Sequence, residues 1–199
     1  HRDLHSFPTR RSSDLKRLGP RHGESGKAYA FDATTWKRLG ERRLEGSISS
    51  SPAVADLDRD GRQEIACGTS NQMVVLDWKG NALWSKDYKD GFRTPVFVDA
   101  NQDGTLDLIV TSYSGMTGCL NGKNGEFLWQ HNEARRIFSP PVVGDVDRDG
   151  FPEIIVQSAM YFVGPNGVGT GYVFCLDGRN GREKWVAQLP FNGDRKSVV

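Results

Sequence analysis

The sequence predicts an all-β fold built from repeated four-stranded units, and three observations carry that prediction. First, three segments align without gaps: SPAVADLDRDGRQEIACG from Ser51, TPVFVDANQDGTLDLIVT from Thr94 and PPVVGDVDRDGFPEIIVQ from Pro140. Their leading loop aspartates, Asp56, Asp99 and Asp145, lie 43 and 46 residues apart. Second, apolar runs flank each aspartate-rich loop. A third run follows (Met73–Asp77, Met116–Asn121, Tyr172–Asp177), then a fourth carrying Trp84, Trp129 or Trp185. Short β-rich runs bounded by turn residues read as strands. Third, the last two runs of each unit are joined by Gly80-Asn81, Asn124-Gly125 or Asn180-Gly181. Asn-Gly adopts positive φ at low cost, which makes it a strong hairpin signal. Four strands every 43 to 46 residues is the spacing of β-propeller blades.

The elements follow in order. His1–Leu15 (HRDLHSFPTRRSSDL) and Asp194–Val199 (DRKSVV) read as in-frame translations of a sequencing adapter and are set aside from fold reasoning. The remainder reads as a fragment of a longer chain, from an environmental and hence bacterial source. Residues 16–44 are expected to give the last strands of a preceding blade, with Leu39 taking the tryptophan's place. Residues 45–90 and 91–135 are each expected to form a blade. Residues 136–193 are expected to form another, with a long inter-strand loop over 160–172, and 194–199 are an adapter-derived tail. The expected fold is therefore a β-propeller fragment, about three four-stranded antiparallel blades plus half a blade. Apolar sheet faces should lie open at both ends.

Composition narrows the function classes. There are 26 basic and 25 acidic residues, so no basic footprint for nucleic acid. No run of 18 apolar residues predicts a membrane span in this fragment. Three cysteines make no disulfide scaffold. Cys119 and Cys175 occupy equivalent positions of neighbouring blades, too far apart to bridge, and with Cys67 read as small buried hydrophobes. Trp84, Trp129 and Trp185 read as inter-blade packing. His22 and His131 are isolated, and no catalytic constellation is visible.

The loops carry the chemistry. They read Asp56-Leu-Asp58-Arg-Asp60-Gly61-Arg-Gln-Glu64, Asp99-Ala-Asn101-Gln-Asp103-Gly104-Thr-Leu-Asp107 and Asp145-Val-Asp147-Arg-Asp149-Gly150-Phe-Pro-Glu153. Alternate oxygen donors at positions 1, 3 and 5, a glycine at 6 and an acid at 9 suit a hard cation that takes six to eight oxygens. Eleven carboxylates crowd these loops and would repel one another strongly without a cation. An EF-hand would need a glutamate at position 12. That position is Cys67, Val110 or Val156. Up to three Ca²⁺ sites are expected, with ligands Asp56, Asp58, Asp60 and Glu64; Asp99, Asn101, Asp103 and Asp107; and Asp145, Asp147, Asp149 and Glu153.

The loops resemble FG-GAP (VCBS-type) calcium-binding propeller repeats, also found in integrin α-subunit heads. The blade tails resemble quinoprotein-like (PQQ-like) repeats: Leu176-Asp177-Gly-Arg-Asn-Gly181-Arg-Glu183-Lys-Trp185 is close to their L-D-x-x-T-G-x-x-x-W hairpin. The resemblance implies a calcium-stabilised, non-catalytic interaction module of a secreted or surface protein. Its location would be extracellular, periplasmic or cell-surface, and its partner a protein or carbohydrate, besides the missing blades of the same chain. Two other readings stay open. One is part of a propeller enzyme, PQQ-dependent dehydrogenase-like or rhamnogalacturonan lyase-like; the other is an integrin-like adhesion head. Met160–Tyr172, with glycines at 164, 167, 169 and 171, reads either as a hairpin extension or as an adaptable binding rim.

Overall fold

The computed structural model describes residues 26–48, 50–88, 90–133, 135–160 and 170–190. The adapter-like ends, His22 and the centre of the 160–172 loop lie outside the described residues.

Among the described residues fifteen strands form four antiparallel sheets, and there is no helix. The first sheet pairs β1 (Gly26–Phe31) with β2 (Arg38–Leu44). The second runs in the order β3 (Ala53–Ala55), β4 (Glu64–Gly68), β5 (Gln72–Leu76), β6 (Ala82–Asp87). The third repeats that order with β7 (Val96–Val98), β8 (Asp107–Thr111), β9 (Met116–Leu120) and β10 (Phe127–Asn132). In the fourth, β12 (Val142–Gly144) leads to β13 (Glu153–Met160), β14 (Thr170–Asp177) and β15 (Glu183–Pro190). The predicted half blade and three blades are thus present as sheets. The short first strands β3, β7 and β12 lie beside one another, as inner strands of adjacent blades do.

The fourth sheet holds one unforeseen strand. β11 (Arg136–Ile137) pairs with the far half of β13, Ile137 opposite Ser158. This is possible because β13 and β14 pair over eight residues, out to Met160 opposite Thr170. The outer residues of the 160–172 segment therefore extend the hairpin.

Strand periodicity explains how the sheets stack. On β8, Leu108 and Val110 pack toward the second sheet with Met73, Val75, Phe92, Met116 and Leu120. The intervening Ile109 packs toward the fourth, with Ile154, Val156, Phe174 and Leu176. All five residues of β8 and of β9 are buried. A sheet covered on both faces reads as a continuous apolar run, and each fully buried Leu or Ile contributes roughly 1.5–3 kcal/mol. A smaller cluster, Leu44, Cys67, Val74 and Leu76, joins the first sheet to the second. Cys67, Cys119 and Cys175 are free and buried, as the sequence predicts.

The tryptophans join blades. Trp84 Nε1 donates to the Gly122 carbonyl at 2.7 Å, and Trp129 Nε1 to that of Gly178 at 2.8 Å. Each ring thereby lies on the third-to-fourth strand turn of the following sheet. Trp185, in the last sheet, is 45% exposed, alongside exposed Val186 and Leu189. At the other end Tyr29, Phe31 and Leu39 are exposed.

The first sheet corrects one expectation. Ala30 pairs with Gly40 and Phe31 with Arg38, so Leu39 is skipped. Val75 pairs with Trp84 and Leu76 with Ala82, skipping Leu83 in the same way. Leu39 is the counterpart of Leu83, and Gly40 stands where the later blades have tryptophan. Accordingly nothing lies within 4 Å of a Cβ built on Gly80, the turn that such a tryptophan would cover.

Candidate metal centres

The aspartate-rich loops join β3 to β4, β7 to β8 and β12 to β13. All three share one backbone conformation. The glycine at position 6 has positive φ: 85° at Gly61, 87° at Gly104 and 88° at Gly150. Position 4 is also left-handed, at Arg59 (61°), Gln102 (58°) and Arg148 (65°). The left-handed region costs an ordinary side chain roughly 1–2 kcal/mol, so the loops hold position 4 there against its preference.

Side-chain oxygens close each loop in the same pattern. The position 1 carboxylate accepts the position 6 N–H: Asp56 from Gly61 at 3.0 Å, Asp99 from Gly104 at 2.9 Å, Asp145 from Gly150 at 3.1 Å. Position 3 accepts from position 5, at 3.2 Å for Asp58, 3.0 Å for Asn101 and 3.2 Å for Asp147. Asp60, Asp103 and Asp149 each accept the position 7 N–H at 2.8 Å. Position 9 reaches back. Glu64 accepts from Leu57 at 2.8 Å and Glu153 from Val146 at 2.9 Å. Asp107, one methylene shorter, accepts from Gly122 at 3.3 Å.

These bonds use only some of the oxygens. Asp56, Asp58 and Glu64 each bring one carboxylate oxygen within 4.8 Å of the others, and so do Asp145, Asp147 and Glu153. Asp60 and Asp149 fall outside these triads. In the second loop Asn101 supplies an amide oxygen at position 3 in place of a carboxylate. Asp56 Oδ1, Asp99 Oδ1 and Asp107 Oδ2 are buried with no hydrogen-bond partner. A buried anionic oxygen without a donor is costly, and a cation relieves it. The first two loops thus offer hard oxygens only, with unsatisfied lone pairs, which fits calcium.

Electrostatics point the same way. Burial pushes the Glu64 carboxyl up, and the charges of Asp58, Asp60 and Asp56 add to this. Burial pushes Asp107 up to about 6, with Asp103 and Asp99 reinforcing it.

The third loop differs. Lys184 Nζ donates to Glu153 Oε1 at 2.5 Å and Asp147 Oδ2 at 2.8 Å, and lies 3.6 Å from Asp149. The hydrogen bond from Lys184 holds the Asp147 carboxyl below its ordinary value. Arg179 pairs with Asp177 at 2.6 Å and reaches 3.6 Å from Asp149.

Neighbouring loops also touch. Arg59 Nη2 lies 3.9 Å from Asp99 Oδ2, and Gln102 Nε2 donates to the Gly150 carbonyl at 2.6 Å. Position 4 of one loop thus leans on the loop of the next sheet.

A repeated sheet with an aspartate loop after its short inner strand defines the repeat, and in the last two sheets the final turn is capped by the preceding tryptophan. Residues 99–156 match the FG-GAP-like repeat family model. The match spans the second loop, β8 to β10 and the third loop, so it runs from one FG-GAP-like loop to the next. No curated protein sequence matches the chain significantly. Among solved structures, the chain is similar to BamB from Moraxella catarrhalis, at 16% identity and a TM-score of 0.58 over 84% of this chain and 46% of that one. It is similar to quinohemoprotein alcohol dehydrogenase from Comamonas testosteroni, at 17% identity and a TM-score of 0.51 over 72% of this chain and 21% of that one. It is also similar to quinohemoprotein alcohol dehydrogenase ADHIIG from Pseudomonas putida HK5, at 14% identity and a TM-score of 0.54 over 84% and 32%. At these identities the likeness establishes the β-propeller fold. The chain spans less than half the length of each of these structures.

Of the twelve expected ligand residues, nine lie in the loops and Glu64, Asp107 and Glu153 are the first residues of β4, β8 and β13; the sequence does not announce what surrounds them. Lys184 gives no signal on its own, because its reach depends on strand pairing. The left-handed position 4 carries Arg or Gln, with no glycine or asparagine to mark it.

Proposed function

We propose that this chain is a calcium-stabilised propeller segment serving as a non-catalytic interaction scaffold in a protein exposed to the extracellular or periplasmic space. The buried, partnerless oxygens of Asp56, Asp99 and Asp107 carry this reading. In it Asp56, Asp58, Asp60 and Glu64 hold one ion, and Asp99, Asn101, Asp103 and Asp107 hold another. Calcium would supply charge neutralisation and fix each loop against its sheet. Weak multi-oxygen sites of this kind suit millimolar extracellular calcium.

The scaffold role is supported by where surface is left over. Stacking buries the faces of the middle sheets and leaves loops and hairpin ends to meet a partner. A groove of about 300 Å³ is lined by Phe138, Ser139, Gln157, Ser158, Tyr172 and Leu189. Its mixture of aromatic, hydroxyl and amide groups suits a peptide or a sugar. Equilibrium calcium titration of the full chain tests the metal sites. Asp56→Asn and Asp99→Asn should each abolish one binding event while circular dichroism stays that of a β protein. Calcium binding unchanged in both variants would refute the assignment.

A further inference from the structure

Every sheet skips one residue at the equivalent point of its last hairpin. The skipped residues are Leu39, Leu83, Leu128 and Lys184. In the three complete blades the skipped residue directly precedes the tryptophan. A β-bulge re-aims the side chain it carries. In the last blade the bulge directs Lys184 onto two members of the Asp145, Asp147, Glu153 triad.

We propose that Lys184 is the resident cation of the third loop, so that this loop is closed without calcium while the first two loops take it. The inference rests on the calcium reading for those two loops. Its geometry is direct. Calcium holds oxygens at about 2.3–2.6 Å, so an ion bound by Glu153 and Asp147 would occupy the place of the ammonium group. Lys184 Nζ already stands 2.5 and 2.8 Å from those oxygens. An ammonium has three N–H donors, enough for Glu153, Asp147 and one further acceptor. The first two loops have no counterpart, since leucine has neither charge nor donor. Arg179 is not the distinguishing residue, because Lys79 and Lys123 stand at the same turn position in the other blades. Of the three sites expected from sequence, the third is thus an internal salt-bridge cluster. The blade bearing the long β13–β14 hairpin would stay folded when calcium is withdrawn.

The test uses the full chain, calcium chloride and four proteins: wild type, Lys184→Leu, Asp56→Asn with Asp99→Asn, and all three changes together. The wild type should bind one ion for each of the first two loops, and Lys184→Leu should gain one more. The double aspartate variant should bind none, and adding Lys184→Leu should restore one site. Metal-free Lys184→Leu should melt below the wild type, and calcium should recover the loss. Calcium binding by the double aspartate variant with Lys184 intact would overturn the inference, as would a Lys184→Leu change that adds no site. A wild type that binds no calcium, together with a Lys184→Leu variant that binds one ion, would refute the reading of the first two loops and uphold this one.

Discussion

The indole N–H of Trp129 donates to the Gly178 carbonyl at 2.8 Å, linking the fourth strand of one blade to the last turn of the next. Trp84 and Gly122 repeat the relationship one blade earlier. Trp129→Phe should therefore lower stability by roughly 1–2 kcal/mol, because the hydrogen bond is lost and a carbonyl is left with a poorer partner. Trp185→Phe should be near neutral in this chain, since its ring is half exposed. Urea unfolding of both variants checks the contrast.

The turns beneath these rings make a second prediction. Gly181 has a φ of 71°, and a Cβ there would meet the Trp129 ring at 2.4 Å. Gly80 has a φ of 84° with nothing within 4 Å. Gly80→Ala should lose only the roughly 1–2 kcal/mol of a left-handed alanine. Gly181→Ala should lose more, because the tryptophan must also shift. Equal melting temperatures for the two variants would contradict the packing account.

The Asp107 carboxyl sets a pH dependence in calcium-free protein. Its folded value of about 6 lies above the ordinary 3.8. The native chain therefore holds this proton more tightly than the unfolded chain. Its contribution is fully present below about pH 4 and is lost as pH rises toward and through 6, roughly 2–3 kcal/mol in all. Glu64, also pushed up, acts in the same direction. Denaturant titrations between pH 4 and 7 in chelator should show stability falling, and Asp107→Asn should flatten that slope. Saturating calcium should reverse its sign, since protons then compete with the ion.

Much of this was legible in the sequence because its signals are local. The loop spacing, the Asn-Gly turns and the apolar runs each fix a few neighbouring residues, and together they locate the blades. The tryptophan positions predict inter-blade packing, which Trp84 and Trp129 perform. What was hidden depends on pairing between distant segments. Leu39 sits in the tryptophan's neighbourhood by spacing, yet the bulge puts Gly40 at that place. Lys184 looks like a solvent-facing strand residue until the bulge turns it onto Glu153. The two residues of β11 are too few to announce a strand, and they pair only because the long hairpin gives them an edge.

Calcium-dependent thermal unfolding of the full chain tests the central claim most directly. With free calcium at about a hundred times the dissociation constant, each site adds about 2.7 kcal/mol. For a chain of this size the unfolding midpoint should rise by roughly 5 °C or more over the same protein in EDTA. Superimposable melts in calcium and in EDTA would contradict the account.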